Sequence, residues 1–128
     1  MTFGILFFVA ALIGAALIVL ALRVVSIAPR LPLLLWIGCG MLVSITALAI
    51  YLIVGYQTAS WWPFTYNSVG PHALVGAAFA VVLCLALLRA SGRWQAKALV
   101  GLLSAFTWLS LWGGTVFIVG CGMGFDCI

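Results

Sequence analysis

Residues 3–32 read FGILFFVAALIGAALIVLALRVVSIAPRLP, and this stretch decides the fold. As far as about Ile27 it is apolar on every face, with Arg23 its only charge. A helix that is hydrophobic all round is either buried in a large core or crosses a membrane. A chain of 128 residues with 68% hydrophobic and 5% charged residues cannot clothe such a core in a polar surface. The run therefore reads as a membrane helix over residues 3–27, since a hydrocarbon layer of about 30 Å needs roughly 20 apolar residues per crossing. Arg23 sits near its end, where a long side chain can reach the headgroups. Pro29 ends the run, and the link from Ala28 to Pro32 is so short that the next helix must fold back as an antiparallel hairpin.

Three further apolar runs follow, at about 33–54, 71–88 and 98–119. Gly55 is placed to close the second, and Pro71 to occupy the first helical position of the third, where a missing N–H costs nothing. The expected architecture is an all-α integral membrane protein, a single domain of four transmembrane helices arranged as two antiparallel hairpins. An outer loop at 55–70 and a C-terminal tail at 120–128 complete it. The first run has no positive charge ahead of it, is too long for the hydrophobic region of a secretory signal, and has no convincing small-residue cleavage pattern after it. It is read as a retained helix.

Arg23 and Arg30 flank the first connection, while Arg89, Arg93 and Lys97 fill the third, and these are all five basic residues. The positive-inside rule puts both connections in the cytoplasm and both termini on the other side. Trp36 and Trp94 then mark the inner interface, and Tyr51, Tyr56, Trp61, Trp62, Phe64 and Tyr66 an outer aromatic rim. The expected setting is the bacterial inner membrane. A net charge of +4 made of so few residues is a topology signal, and no nucleic-acid partner is expected. The strings LRVVS and LRAS beside the two basic turns are too short to indicate duplication.

Cys39 and Cys84 fall within helices, where a thiol behaves as a small apolar group. Cys121 and Cys127 fall in the tail, on the oxidising side of this topology, and are expected to form a disulfide. Membrane disulfide-generating proteins also have four helices but depend on a CxxC-type pair, which this chain lacks. No metal site is expected, because two cysteines and Asp126 do not complete a tetrahedral set.

No acidic or basic residue lies in the central part of any of the four runs. Proton relays and ion coupling are usually built from such residues, and small multidrug exporters of similar length need a membrane-embedded carboxylate. Asp126 is the single acidic residue and His72 the single histidine, so general acid–base catalysis has no material and no enzyme activity is expected.

What the helices do carry is small residues at packing intervals: Ala10 with Gly14, Gly40 with Ser44, Gly76 with Ala80 and Cys84, Gly101 with Ala105, and Ser110 with Gly114. Small-xxx-small seams let helix backbones approach closely in lipid. They either pack the chain's own bundle or, most notably on the third helix, dock another protein. The fourth helix adds a stripe of Ser104, Trp108, Trp112 and Thr115, with Thr107 beside it. Its hydroxyls offer either a pore lining or bonds to the helix's own carbonyls. Trp108 and Trp112 lie deep for tryptophan, which suggests a flat partner such as a quinone, a pigment ring or a protein groove. His72 in the first turn of the third helix is a candidate for cofactor contact. One histidine excludes an internal bis-histidine haem but leaves a single axial bond to chlorophyll, half of a shared site, or a hydrogen bond to a quinone carbonyl. The plainer alternative is an imidazole at headgroup level bonded to water or a loop carbonyl.

In size and composition the chain is like the small polytopic subunits of respiratory, photosynthetic or secretion complexes, and equally like phage and plasmid membrane proteins, with no shared motif. The functional expectation is a structural or accessory subunit that binds other membrane subunits and lipid through its helix faces and outer loop, with no cofactor held by this chain alone. The alternatives are a homo-oligomeric, holin-like pore and an electron-transfer subunit using His72.

Overall fold

The computed structural model describes residues 2–24, 30–57 and 69–122, with side chains for 4–24, 31–54 and 72–119. These residues form four helices: α1, Thr2–Val24; α2, Arg30–Gln57; α3, Val69–Arg89; and α4, Trp94–Gly122. Each is long and apolar enough to cross a membrane. Large apolar side chains face outward on all four, with Leu12, Leu42, Leu74 and Leu102 each more than two-thirds exposed. Lipid solvates such surfaces and water does not.

Three helices begin earlier than the proline and charge pattern predicts. Pro32 does not precede α2 but sits in its first turn, where backbone N–H groups have no intrahelical acceptor to lose. Gly55 lies within α2, which continues to Gln57. α3 starts two residues before Pro71, and α4 starts at Trp94 rather than near Ala98. There the Lys97 N–H donates to the Arg93 carbonyl at 3.1 Å, so Lys97 belongs to the first turn of α4 and not to the connection. The α3–α4 connection is correspondingly tight. The Ala90 N–H donates to the carbonyls of Ala86 and Leu87, both at 3.2 Å, and Gly92 then turns the chain at φ 152°, a conformation that side chains disfavour.

The helix neighbours follow from where side chains are missing. α1 and α4 share the most extensive interface. They run antiparallel, with Gly4 against Ile118, Phe7 and Phe8 against Gly113 and Gly114, and Gly14 against Phe106 and Thr107. A Cβ built at Gly113 would fall 2.9 Å from the Phe7 ring, so the glycine is what lets the ring in. α2 and α3 form the second interface, also antiparallel, through Gly40 against Phe79 and Val82. α4 also meets α2 and α3, and its span is the most buried of the four, at 39%. The short link after α1 suggests α2 as its main neighbour, yet among the described residues that neighbour is α4. Two phenylalanines fit closely opposite two glycines, whereas Leu31 and Leu34 of α2 line a recess with Val19, Leu22 and Arg23 of α1.

With α1–α4, α2–α3 and α3–α4 all antiparallel, Arg23, Arg89, Arg93 and Lys97 gather at one end of the bundle. The core beneath them contains Ile18, Leu22, Leu33, Ile37, Leu83 and Val100, and continues through Met41 and Phe79 to Trp108.

Candidate functional site

The polar chemistry of the bundle is concentrated where α4 meets α2 and α3. Trp108 is 7% exposed, and its indole Nε1–H donates to Ser44 Oγ at 2.8 Å. The Ser44 hydroxyl in turn donates to the Met41 carbonyl at 3.0 Å, so one side chain on α2 serves as both acceptor and donor. The Trp108 ring stacks on Phe79 of α3 with centroids 5.7 Å apart and planes at 11°. A Cβ at Gly76 would stand 3.3 Å from the indole, tighter than most real contacts, so the glycine leaves room for the ring. Phe79 thus gives Trp108 a flat neighbour within the chain.

One turn along α4, the Trp112 Nε1–H donates to His72 Nδ1 at 3.0 Å, and the rings meet edge to face at 5.8 Å. Acceptance at Nδ1 assigns the hydrogen of a neutral imidazole to Nε2. Axial coordination through Nε2 needs the opposite tautomer, in which an Nδ1–H would face the indole N–H. The His72–Trp112 pair therefore suits hydrogen-bond donation from Nε2 and competes with metal ligation there.

The hydroxyl stripe on α4 turns inward. Ser104, Thr107, Ser110 and Thr115 are all buried. Ser104, Thr107 and Ser110 donate to the carbonyls four residues back, Val100, Leu103 and Phe106, at 2.7, 2.8 and 2.9 Å. Such back-bonding satisfies a hydroxyl inside an apolar bundle without a partner on another helix.

The small residues divide. Gly14, Gly40, Gly76, Gly101 and Gly114 each face a side chain of another helix, Gly101 approaching Leu87 to 3.2 Å from an ideal Cβ. Ala80, Cys84 and Ala105 face outward. The steps from Gly76 to Ala80 to Cys84 are four residues each, and in a helix of 3.6 residues per turn a four-residue step drifts about 40°. The inward face of α3 instead follows alternating steps through His72, Gly76, Phe79 and Leu83. That spacing was available in the sequence and leads to Phe79, the residue that sequence reasoning missed. Thr107 opposite Gly14, and Phe7 and Phe8 opposite Gly113 and Gly114, had no such signal, because they pair residues about a hundred positions apart.

Arg23, Arg89 and Arg93 are exposed and Lys97 is half-buried. The outer aromatic rim of Trp61, Trp62, Phe64 and Tyr66 and the Cys121–Cys127 bridge fall outside the described residues or side chains, as does the Arg30 side chain. Comparison with protein families, with curated proteins and with solved structures finds no match.

Proposed function

We propose that this chain is a structural or accessory subunit of a larger membrane protein complex, docking through the outward face of α3. The observation that carries the reading is the poor burial of that helix. Only 11% of the α3 span is buried, against 28% for α1 and α2 and 39% for α4. Its outward face carries Ala73, Ala77, Ala80 and Cys84, all exposed and spaced four, three and four apart, so they stay on one side of the helix. Close approach of backbones along such a face is a main source of helix association in lipid, where apolar burial contributes little.

A homo-oligomeric or holin-like pore has less support, since the hydroxyls it would use are buried in the single-chain bundle, and those of Ser104, Thr107 and Ser110 are bonded to backbone. An electron-transfer role for His72 through metal ligation also has less support, since the Trp112 indole donates to its Nδ1. The bacterial inner membrane, with the arginine-bearing end in the cytoplasm, is the setting that fits the positive-inside rule.

The test is purification from native membranes in mild detergent, with and without Ala77→Leu and Ala80→Leu. Both positions are exposed, so the bundle tolerates them. The expected result is an unrelated membrane polypeptide at fixed stoichiometry with the wild type, lost from the variants. A ring of this chain alone, or a companion indifferent to both substitutions, overturns the proposal.

A further inference from the structure

Between α2 and α3 a groove runs from the basic end of the bundle toward its middle. Its first part is a cavity of about 290 Å³ walled by Pro32, Leu33, Trp36, Val82 and Ala86, with Arg89 at the mouth. A second cavity of about 380 Å³ shares Trp36 and Val82 with the first and continues past Gly40 and Ala78 to Ala47 and Val75. From Leu33 to Ala47 the groove follows fourteen helical rises, or about 20 Å at 1.5 Å per residue. It is apolar along its length and cationic at one end.

Among the described residues no carboxylate approaches Arg89, and the single acidic residue of the chain, Asp126, lies outside them. Arg89 is exposed at the last residue of α3, and Arg93 follows on the connection. Trp36, 57% exposed, belongs to both cavities and gives the groove a rigid amphipathic wall at the depth where tryptophan prefers to lie. A slot with an exposed guanidinium at one end and a long apolar floor has the shape and polarity of one amphiphile. Basic pockets between membrane helices recognise anionic headgroups by this combination.

We infer that the α2–α3 groove is a binding site for one anionic phospholipid, its phosphate on Arg89 and one acyl chain laid along Trp36, Val82 and Ala78 into the bundle. The site uses a different face from the outward alanines of α3, so it stands whether or not that face docks a protein.

The full-length protein in mild detergent, titrated with phosphatidylglycerol or with phosphatidylcholine of the same acyl chains and read by native mass spectrometry, tests this. The expected result is one phosphatidylglycerol retained in preference to phosphatidylcholine. Arg89→Gln lowers the phosphatidylglycerol affinity roughly fivefold, the contribution of one basic side chain at an anionic surface. Ala78→Phe, on the exposed wall of the groove, weakens retention of the chain without altering charge, and Arg23→Gln, on the α1 side, leaves binding unchanged. Equal retention of the two lipids overturns the inference, as does an Arg23→Gln loss equal to that of Arg89→Gln, which would mean diffuse attraction. Displacement by inorganic phosphate alone, or a groove filled by a companion polypeptide that Ala78→Phe releases while lipid binding is unchanged, overturns it as well.

Discussion

The Trp108 indole donates to Ser44 Oγ across the α2–α4 interface at 2.8 Å, and this single bond explains a tryptophan far from the interfacial depth that the residue favours. An indole N–H in a dry apolar bundle needs an acceptor. Ser44 supplies it while keeping its own hydrogen on the Met41 carbonyl. Trp108→Phe is expected to retain the stack on Phe79 and lose the bond. In a double-mutant cycle with Ser44→Ala, measured by reversible unfolding in detergent, the coupling is expected at about 0.5–1.5 kcal/mol, the range of interhelical hydrogen bonds in membrane proteins. Strict additivity of the two substitutions would deny the bond any energetic role.

Gly14 lies so close to Thr107 that an added Cβ collides with the threonine side chain. The threonine cannot easily turn away, because its hydroxyl is bonded to the Leu103 carbonyl at 2.8 Å. Gly14→Ala is expected to destabilise the bundle by about 1–3 kcal/mol, as overpacking commonly does. Thr107→Ala should restore most of that loss in the double variant, read as recovery of the thermal midpoint. A Gly14→Ala protein as stable as wild type would mean that α1 does not sit against α4 here.

His72 is the only histidine, so its ring nitrogens can be observed by ¹⁵N resonance without assignment. With Trp112 donating to Nδ1, the neutral ring is expected to show a pyridine-like Nδ1 and a pyrrole-like Nε2. Trp112→Phe should remove that preference. An Nδ1–H tautomer in the wild type would contradict the bond.

The end of the bundle that carries the arginines is proposed to face the cytoplasm. Gln95, exposed in the first turn of α4, reports on it without disturbing a charge. With the four native cysteines replaced by alanine, Gln95→Cys should resist a membrane-impermeant maleimide in intact cells and react once the membrane is opened. Reaction in intact cells would reverse the orientation.

Much of the fold is legible in composition and run length alone. Four stretches too apolar for water and long enough for a bilayer can only be helices, because no other open structure satisfies its backbone in lipid. Helix ends were less legible. Pro32 and Gly55 have the residue types of boundaries, yet a proline in a first turn loses no hydrogen bond and a glycine inside a membrane helix is tolerated. The candidate site was legible residue by residue, in His72, Trp108, Trp112 and Ser44, but its pairings were not. Sequence spacing places residues on a helix face without saying which helix that face meets.

The sequence by itself therefore determined the class of the protein: an all-helical chain with four helices of membrane-spanning length, its basic residues gathered at or beside the helix ends that flank two of the connections, and no acidic or basic residue in the middle of a span. Tertiary structure alone decided that α1 lies against α4, that the deep tryptophans are anchored on Ser44 and His72, and that the hydroxyls of α4 turn inward. The physical reason is that hydrophobicity, which the sequence displays openly, drives helices into lipid but scarcely distinguishes one helix neighbour from another. The choice among neighbours rests on glycine clearances and a few interhelical hydrogen bonds, between residues that the chain order keeps far apart.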